Sequence, residues 1–140
     1  MSLDHESAMR MLGASHQRAR ELGMAVSTAI VDPDGRLLAF GRMDGTHWLS
    51  IDAAQAKAFT GALLRQEGQA LQQLPPAMIS ALSLMQGRAV LPMGSVTVLR
   101  DENNQLLAGI GCSGIGSVGA TDDLDGDCAR AARDAFVRHV

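Results

Sequence analysis

The chain has 140 residues, 46% of them hydrophobic and 19% charged, with a formal charge of −3. That suits a single globular domain over residues 1–140, and the absence of a basic run or aromatic–basic stripe argues against nucleic acid as a partner. No apolar stretch is long enough to span a membrane, and the polar start Met1-Ser2-Leu3-Asp4-His5-Glu6 carries no signal-peptide pattern, so a cytoplasmic protein is expected.

Ser2 to Leu22 reads as an amphipathic helix, with Ala8, Met11, Leu12, Ser15, Ala19 and Leu22 on one face and Gly23 as its stop. Met24 to Val31 is rich in β-formers and runs into the turn Asp32-Pro33-Asp34-Gly35, after which Arg36 to Arg42 returns as a second strand. Met43 to Leu49 is a loop leading to a helix that carries Lys57, with Ser50 or Asp52 near its cap. Pro75-Pro76 interrupts the next stretch, Ala77 to Met85 can form a short helix, and Gly87 to Gly94 reads as a loop or short strand. Ser95 to Arg100 and Gln105 to Ser113 form a second hairpin around Asp101-Glu102-Asn103-Asn104. A glycine-rich connection, Gly114 to Gly119, precedes a last helix from Thr121 to Val137 whose predicted buried stripe is Leu124, Cys128, Ala131 and Ala135. The two hairpins echo each other in Arg36-Leu37-Leu38-Ala39 and Gln105-Leu106-Leu107-Ala108. The expected fold is α+β, an antiparallel sheet of about five strands with the terminal helices on a face of it. With no Tyr, one Trp and three Phe, the core must be built by close backbone approach within the domain or across a tight oligomer.

Lys57 is the only lysine; every other cationic side chain except histidine is arginine. Its helical neighbours at three and four residues are Ala53, Ala54, Thr60 and Gly61, so no local acid can pair with it. The ammonium therefore needs water, a distant carboxylate or an anionic ligand. The ordinary outcome is a stem packed on the apolar face with the amine reaching water or a remote acid. The functional outcome is a grip on a ligand carboxylate, or a base whose pKa burial depresses.

Arg42, Asp44, His47 and Trp48 cluster after the second strand, where loops commonly carry sites. His47 could act as an acid/base or metal ligand oriented by Asp44, Arg42 could fork onto a carboxylate, and Trp48 offers a flat face. The bland alternative is a solvated loop with a weak Arg42–Asp44 pair. Asp122, Asp123, Asp125 and Asp127 lack calcium-loop spacing and read as acids favoured at a helix start. Cys112 and Cys128 fit neither a metal spacing nor a disulfide framework and read as small hydrophobes. The glycines from Gly109 to Gly119 do not make a phosphate-binding fingerprint; close approach to a ligand or a neighbouring subunit is the better account.

The run Val31 to Gly45, the stretch Ser50-Ile51-Asp52-Ala53-Ala54-Gln55-Ala56-Lys57-Ala58 and Gly109-Ile110-Gly111-Cys112-Ser113-Gly114 together resemble the GlcG/HbpS-like haem-binding family, also seen as the C-terminal domain of some corrinoid adenosyltransferases. The resemblance covers nearly the whole chain. It implies a profilin-like fold and a homo-oligomer. It also implies a small-molecule ligand: some relatives bind haem, some belong to glycolate or diol catabolism, and some act on small unsaturated acids. The chain departs from the family pattern at Leu91-Pro92-Met93-Gly94-Ser95 and Thr46-His47-Trp48. The expected binding site is thus Arg42, Asp44, His47, Trp48, Lys57, Met93, Gly94 and Ser95, holding haem or a small carboxylate. If haem binds, His16, at the boundary of the first helix's apolar stripe, is the candidate axial ligand, ahead of the near-terminal His5 and His139. An enzyme would use Lys57 and His47 on a small unsaturated acid, and the third alternative is an accessory structural subunit.

Overall fold

The computed structural model describes residues 2–139, and the side chains of residues 2–137. Helix α1 (His5–Glu21) begins where Asp4 accepts the Ser7 backbone N–H at 2.8 Å, covering one of the donors a helix start leaves unpaired. Its buried residues, Ala8, Met11, Leu12, Ser15 and Ala19, are those of the predicted stripe. Strands β1 (Ser27–Val31) and β2 (Leu37–Arg42) form the first hairpin, and β3 (Thr97–Arg100) and β4 (Leu106–Ser113) the second. The same device turns both. Asp32 Oδ1 accepts the N–H groups of Asp34 and Arg36, and Asp101 Oδ1 those of Asn103 and Gln105, all within 2.9–3.0 Å.

The sheet has four strands in the order β2-β1-β4-β3, every pair antiparallel, and not the five expected. The missing strand is the segment 87–94, which joins no ladder and gives its central N–H groups to side chains. Val90 N–H donates to Ser83 Oγ at 3.0 Å, Leu91 N–H to Thr60 Oγ1 at 2.8 Å, and Pro92 has no N–H to give.

Helix α2 (Leu49–Leu64) covers one face of the sheet, over β4 and β1, while α1 and α5 (Asp122–His139) pack together on the other. The α2 contact is very close. A Cβ at Gly109 would lie 2.2 Å from the Ala58 carbonyl oxygen, and one at Gly111 the same distance from that of Ala54. Only glycine on the strand and a stripe of Ala54, Ala58 and Ala62 on the helix permit this approach. The larger core lies on the opposite face, where Met11, Leu12, Val26, Ile30, Leu99, Ile110 and Ala132 meet. Between α2 and β3 run two short helices, α3 (Gly68–Leu71) and α4 (Pro76–Gln86).

Two expectations about helix ends and faces are corrected. Neither Ser50 nor Asp52 caps α2. The Ser50 hydroxyl instead pairs with Ser27 at 2.7 Å beneath the helix, and the Leu49 N–H donates to His47 Nδ1 at 3.1 Å. The buried stripe of α5 is Asp125, Cys128, Ala129 and Ala132, about one residue round from the predicted Leu124, Cys128, Ala131 and Ala135. The helix settles there because Asp125 is drawn inward by the groups described next.

Candidate functional site

Lys57 is 2% exposed, and its charge is answered by a distant carboxylate. Nζ donates to the Cys112 carbonyl at 2.8 Å and to Asp125 Oδ2 at 3.2 Å, with Asp122 Oδ1 at 3.8 Å. The other oxygen of Asp125 accepts the Gly114 N–H at 3.0 Å. One lysine thus joins α2, the end of β4 and the first turns of α5. Burial holds the Asp125 carboxyl above its ordinary range, opposed by the Lys57 charge and hydrogen bond and by the Gly114 N–H. The turn is shaped to it: Thr121 Oγ1 accepts the Leu124 N–H at 3.2 Å, and the Asp125 N–H bonds to the Thr121 carbonyl.

Beside this pair lies a cavity of about 400 Å³ between the N-terminal half of α2, the segment 89–93 and the chain after β4. Leu49, Ala53, Ala56, Leu91, Met93 and Ile115 are among its apolar walls, with Lys57, Asp125, Asp52 and Ser113 as its polar groups. The polar groups sum to one cation and two acids.

Of the expected site residues, Lys57 and Met93 line this cavity. His47 and Trp48 precede α2, exposed, with ring centroids 4.9 Å apart. His47 Nδ1 accepts the Leu49 N–H at 3.1 Å, which engages that nitrogen at the start of α2. Leu49 and Lys57 are eight residues apart on one helix, about 12 Å along its axis, so His47 and Lys57 do not share a proton. Arg42 Nη2 donates to the Thr46 carbonyl at 2.8 Å and ties down its own loop, and Asp44 is exposed in the turn. Gly94 borders a separate polar cleft with Glu67, Asp122 and Arg133, and Ser95 is buried with its hydroxyl unpartnered.

His16 lies on α1, across the sheet from Lys57, with Cε1 against Gly41 of β2. Its Nε2 is buried without a partner, and burial lowers its pKa, partly opposed by a hydrogen bond to the Gly41 backbone. His5 begins α1, exposed, and the side chain of His139 falls outside the described residues. Among the described residues no three His, Cys, Asp or Glu are grouped to hold a metal. The Lys57 cavity does not fit a histidine-held haem, since no His, Cys or Tyr lines it and Met93 is its one side chain of an iron-ligating type found in haem proteins.

The residue that sequence reasoning missed is Asp125. It sits three, four and seven residues before Cys128, Ala129 and Ala132, the spacing of a buried helical stripe. An acid on that stripe, in a chain with one unpaired lysine, was the available signal. Ile115 and Leu49 carried no such mark.

Comparison with known proteins agrees with this architecture. An uncharacterized 15.0 kDa protein from the dhaT-dhaS intergenic region of Citrobacter freundii is 30% identical over 133 residues, 93% of this chain and 89% of that protein. The crystal structure of a PduOC:haem complex superposes with a TM-score of 0.82 at 25% identity, covering 96% of this chain and 95% of the other. A double mutant of HbpS from Streptomyces reticuli gives a TM-score of 0.79 at 29% identity, over 96% of this chain and 86% of that one. With a family profile described as haem degrading protein HbpS-like matching residues 3–134, the chain belongs to the HbpS-like family.

Proposed function

We propose that this protein binds a small, uncharged, largely apolar molecule in the Lys57 cavity. The observation that carries the reading is the apolar cavity of about 400 Å³ set against a lysine already neutralised inside the protein. A ligand carboxylate would meet Asp125 and Asp52 beside a single ammonium that already gives two of its three donors to Cys112 and Asp125, so the anionic ligand expected for Lys57 is disfavoured. A neutral molecule buries its apolar surface on Ala53, Ala56, Leu91 and Ile115 and directs one hydrogen-bonding end toward Ser113 or Asp125. The profilin-like fold and homo-oligomer implied by the family, and the cytoplasmic location expected from the sequence, belong to the same reading.

The test is a panel of matched small alcohols and carboxylates, benzyl alcohol and benzoate among them, followed by amide shift changes at Ala53, Ala56 and Ile115. Neutral members should bind, and Ala56→Phe, which fills the cavity, should abolish the response. Carboxylates binding in preference, with loss in Lys57→Met, would restore the anion-holding role. Turnover of small unsaturated acids that vanishes in a folded Lys57→Met protein would favour an enzyme.

Haem binding is the second reading, favoured by the likeness to a haem complex. It predicts a Soret band on titration that His16→Ala or Met93→Ala shifts. Spectra identical to that of free haem would remove it.

A further inference from the structure

Where the edge strand β3 meets the end of α2 lies a cleft of about 300 Å³, lined by Arg65, Gln66, Glu67, Val98, Arg100 and Arg133. Three arginines against one glutamate leave two positive charges in excess, in a chain whose net charge is −3. The C-terminal end of a helix draws cations through its dipole, but that end carries only about half a negative charge. Arg18 and Arg130 each pair with an acid one turn away on their own helix, Glu21 and Asp127. Among the described residues neither Arg65 nor Arg100 pairs with any carboxylate. Glu67, the one acid of the lining, is already engaged: its Oε1 accepts Arg133 Nη1 at 3.4 Å and the Val98 N–H at 3.5 Å.

Two of the three guanidinium groups are held in place with donors to spare. Arg100 donates from Nη1 to the Asn104 carbonyl at 3.0 Å and from Nη2 to the Arg65 carbonyl. Arg133 donates from Nη1 to Glu67 and from Nε to Asp134 Oδ1 at 3.1 Å. A guanidinium has five N–H donors, so each keeps more than it uses. Arg65 carries a further mark in its backbone. It ends α2 with φ 58° and ψ 35°, the left-handed conformation for which glycine is the usual residue, and Gly87 fills the same place after α4. An arginine there is strained, and strain of this kind is kept where the side chain has a use.

We propose that this cleft binds a small, doubly charged oxyanion, inorganic phosphate or the phosphate end of a monoester, through Arg65, Arg100 and Arg133. Planar forks of donors match the oxygen edges of a phosphate, and a double negative charge balances the excess of the lining. Val98 is the one apolar side chain in the lining, so the cleft offers little to an apolar body. With no aromatic ring to stack a base, it offers no track for a nucleic acid strand. The site shares no lining residue with the Lys57 cavity and stands apart from the ligand reading given for it.

The experiment titrates the full chain at low ionic strength with inorganic phosphate, glycerol 3-phosphate and succinate, by calorimetry and by thermal melts. The wild type should bind phosphate saturably and melt higher in its presence. Arg100→Gln should weaken phosphate by about tenfold or more, the loss of a charge-assisted hydrogen bond. Arg36→Gln removes an exposed arginine from the first hairpin turn and should change the affinity less than about twofold. Arg65→Gly separates binding from folding. Without phosphate it should melt at or above the wild-type temperature, because glycine relieves the left-handed backbone, yet bind phosphate about tenfold more weakly. Tighter binding of glycerol 3-phosphate than of phosphate assigns the anion to a monoester, and equal binding assigns it to the free ion. No saturable phosphate binding by the wild type, a preference for succinate, or a loss in Arg36→Gln as large as in Arg100→Gln overturns the proposal. If circular dichroism shows Arg100→Gln unfolded, Arg65→Gly decides alone, and unchanged phosphate affinity in it overturns the proposal.

Discussion

Replacing Lys57 with Met keeps most of the stem and removes the charge from a pair that is almost wholly buried. Asp125, whose side chain is 9% exposed, is then left with the Gly114 N–H, and the Cys112 carbonyl loses its partner. Removing one member of a buried pair costs about 3–5 kcal/mol, a large part of the roughly 5–15 kcal/mol that holds a domain together. At about 3 °C per kcal/mol for this chain length, melting should fall by about 10–15 °C. The loss should depend on pH with a definite sign. Burial already places the folded Asp125 pKa above its ordinary value, and Lys57 opposes that; without Lys57 it rises further. A folded pKa above the unfolded one means the native state binds the proton more readily. Stability then falls as pH climbs from the unfolded value near 4 through the raised folded one, and levels off above it. Urea unfolding followed by circular dichroism should therefore show a larger penalty at pH 8 than at pH 5. Lys57→Met/Asp125→Asn, which removes both charges but keeps an acceptor for Gly114, should recover all but about 1–2 kcal/mol. A loss under about 1 kcal/mol at pH 8, or one that grows on acidification, would refute the buried pair as the clasp.

Gly111→Ala should unfold the domain or cost more than about 3 kcal/mol, because its Cβ would lie 2.2 Å from the Ala54 carbonyl oxygen, whereas Gly13→Ala, in the exposed interior of α1 with nothing within 4 Å, should gain about 1 kcal/mol; paired thermal melts check both. Burial pushes the Cys112 thiol up to about 11 and the Cys128 thiol up to about 12, so neither should react with a thiol reagent at pH 8 until urea unfolds the chain, as absorbance titration would report. His47→Ala should cost about 1 kcal/mol through loss of the Leu49 N–H contact, and amide exchange should speed up at the start of α2.

The elements legible in the sequence are those whose signals are local. The α1 stripe, both hairpins and the α2 helix follow from periodicity and from Asp-Gly and Asp-Asn turns, and the structure keeps them. The illegible parts depend on distant partners. The segment 87–94 has the composition of a short strand, but hydroxyls from Thr60 and Ser83 take its N–H groups. The rotation of α5 is set by Lys57, which lies 68 residues from Asp125 in sequence. Only two of the eight expected site residues came together, for the same reason. Lys57 and Met93 face the cavity, but Arg42 spends its donors on Thr46, and the partner of Lys57 was hidden among acids that a helix start explains by itself.

Why this one position keeps a lysine in a chain that otherwise uses arginine follows from the fit. The Ala54, Ala58 and Ala62 stripe lets α2 lie on the backbone of β4, and the Lys57 Cβ sits only 2.7 Å from where a Gly111 side chain would begin. In so narrow a space a guanidinium would have to place a planar fork where the structure holds a single nitrogen. Its acceptors, the Cys112 carbonyl and Asp125 Oδ2 with Asp122 Oδ1 farther off, come from different elements and do not form the paired edge that arginine binds best. A compact ammonium with three rotatable donors suits such a convergence. The glycines that admit the helix and the lysine that fastens it are therefore parts of one arrangement, and the apolar cavity lies along its open side.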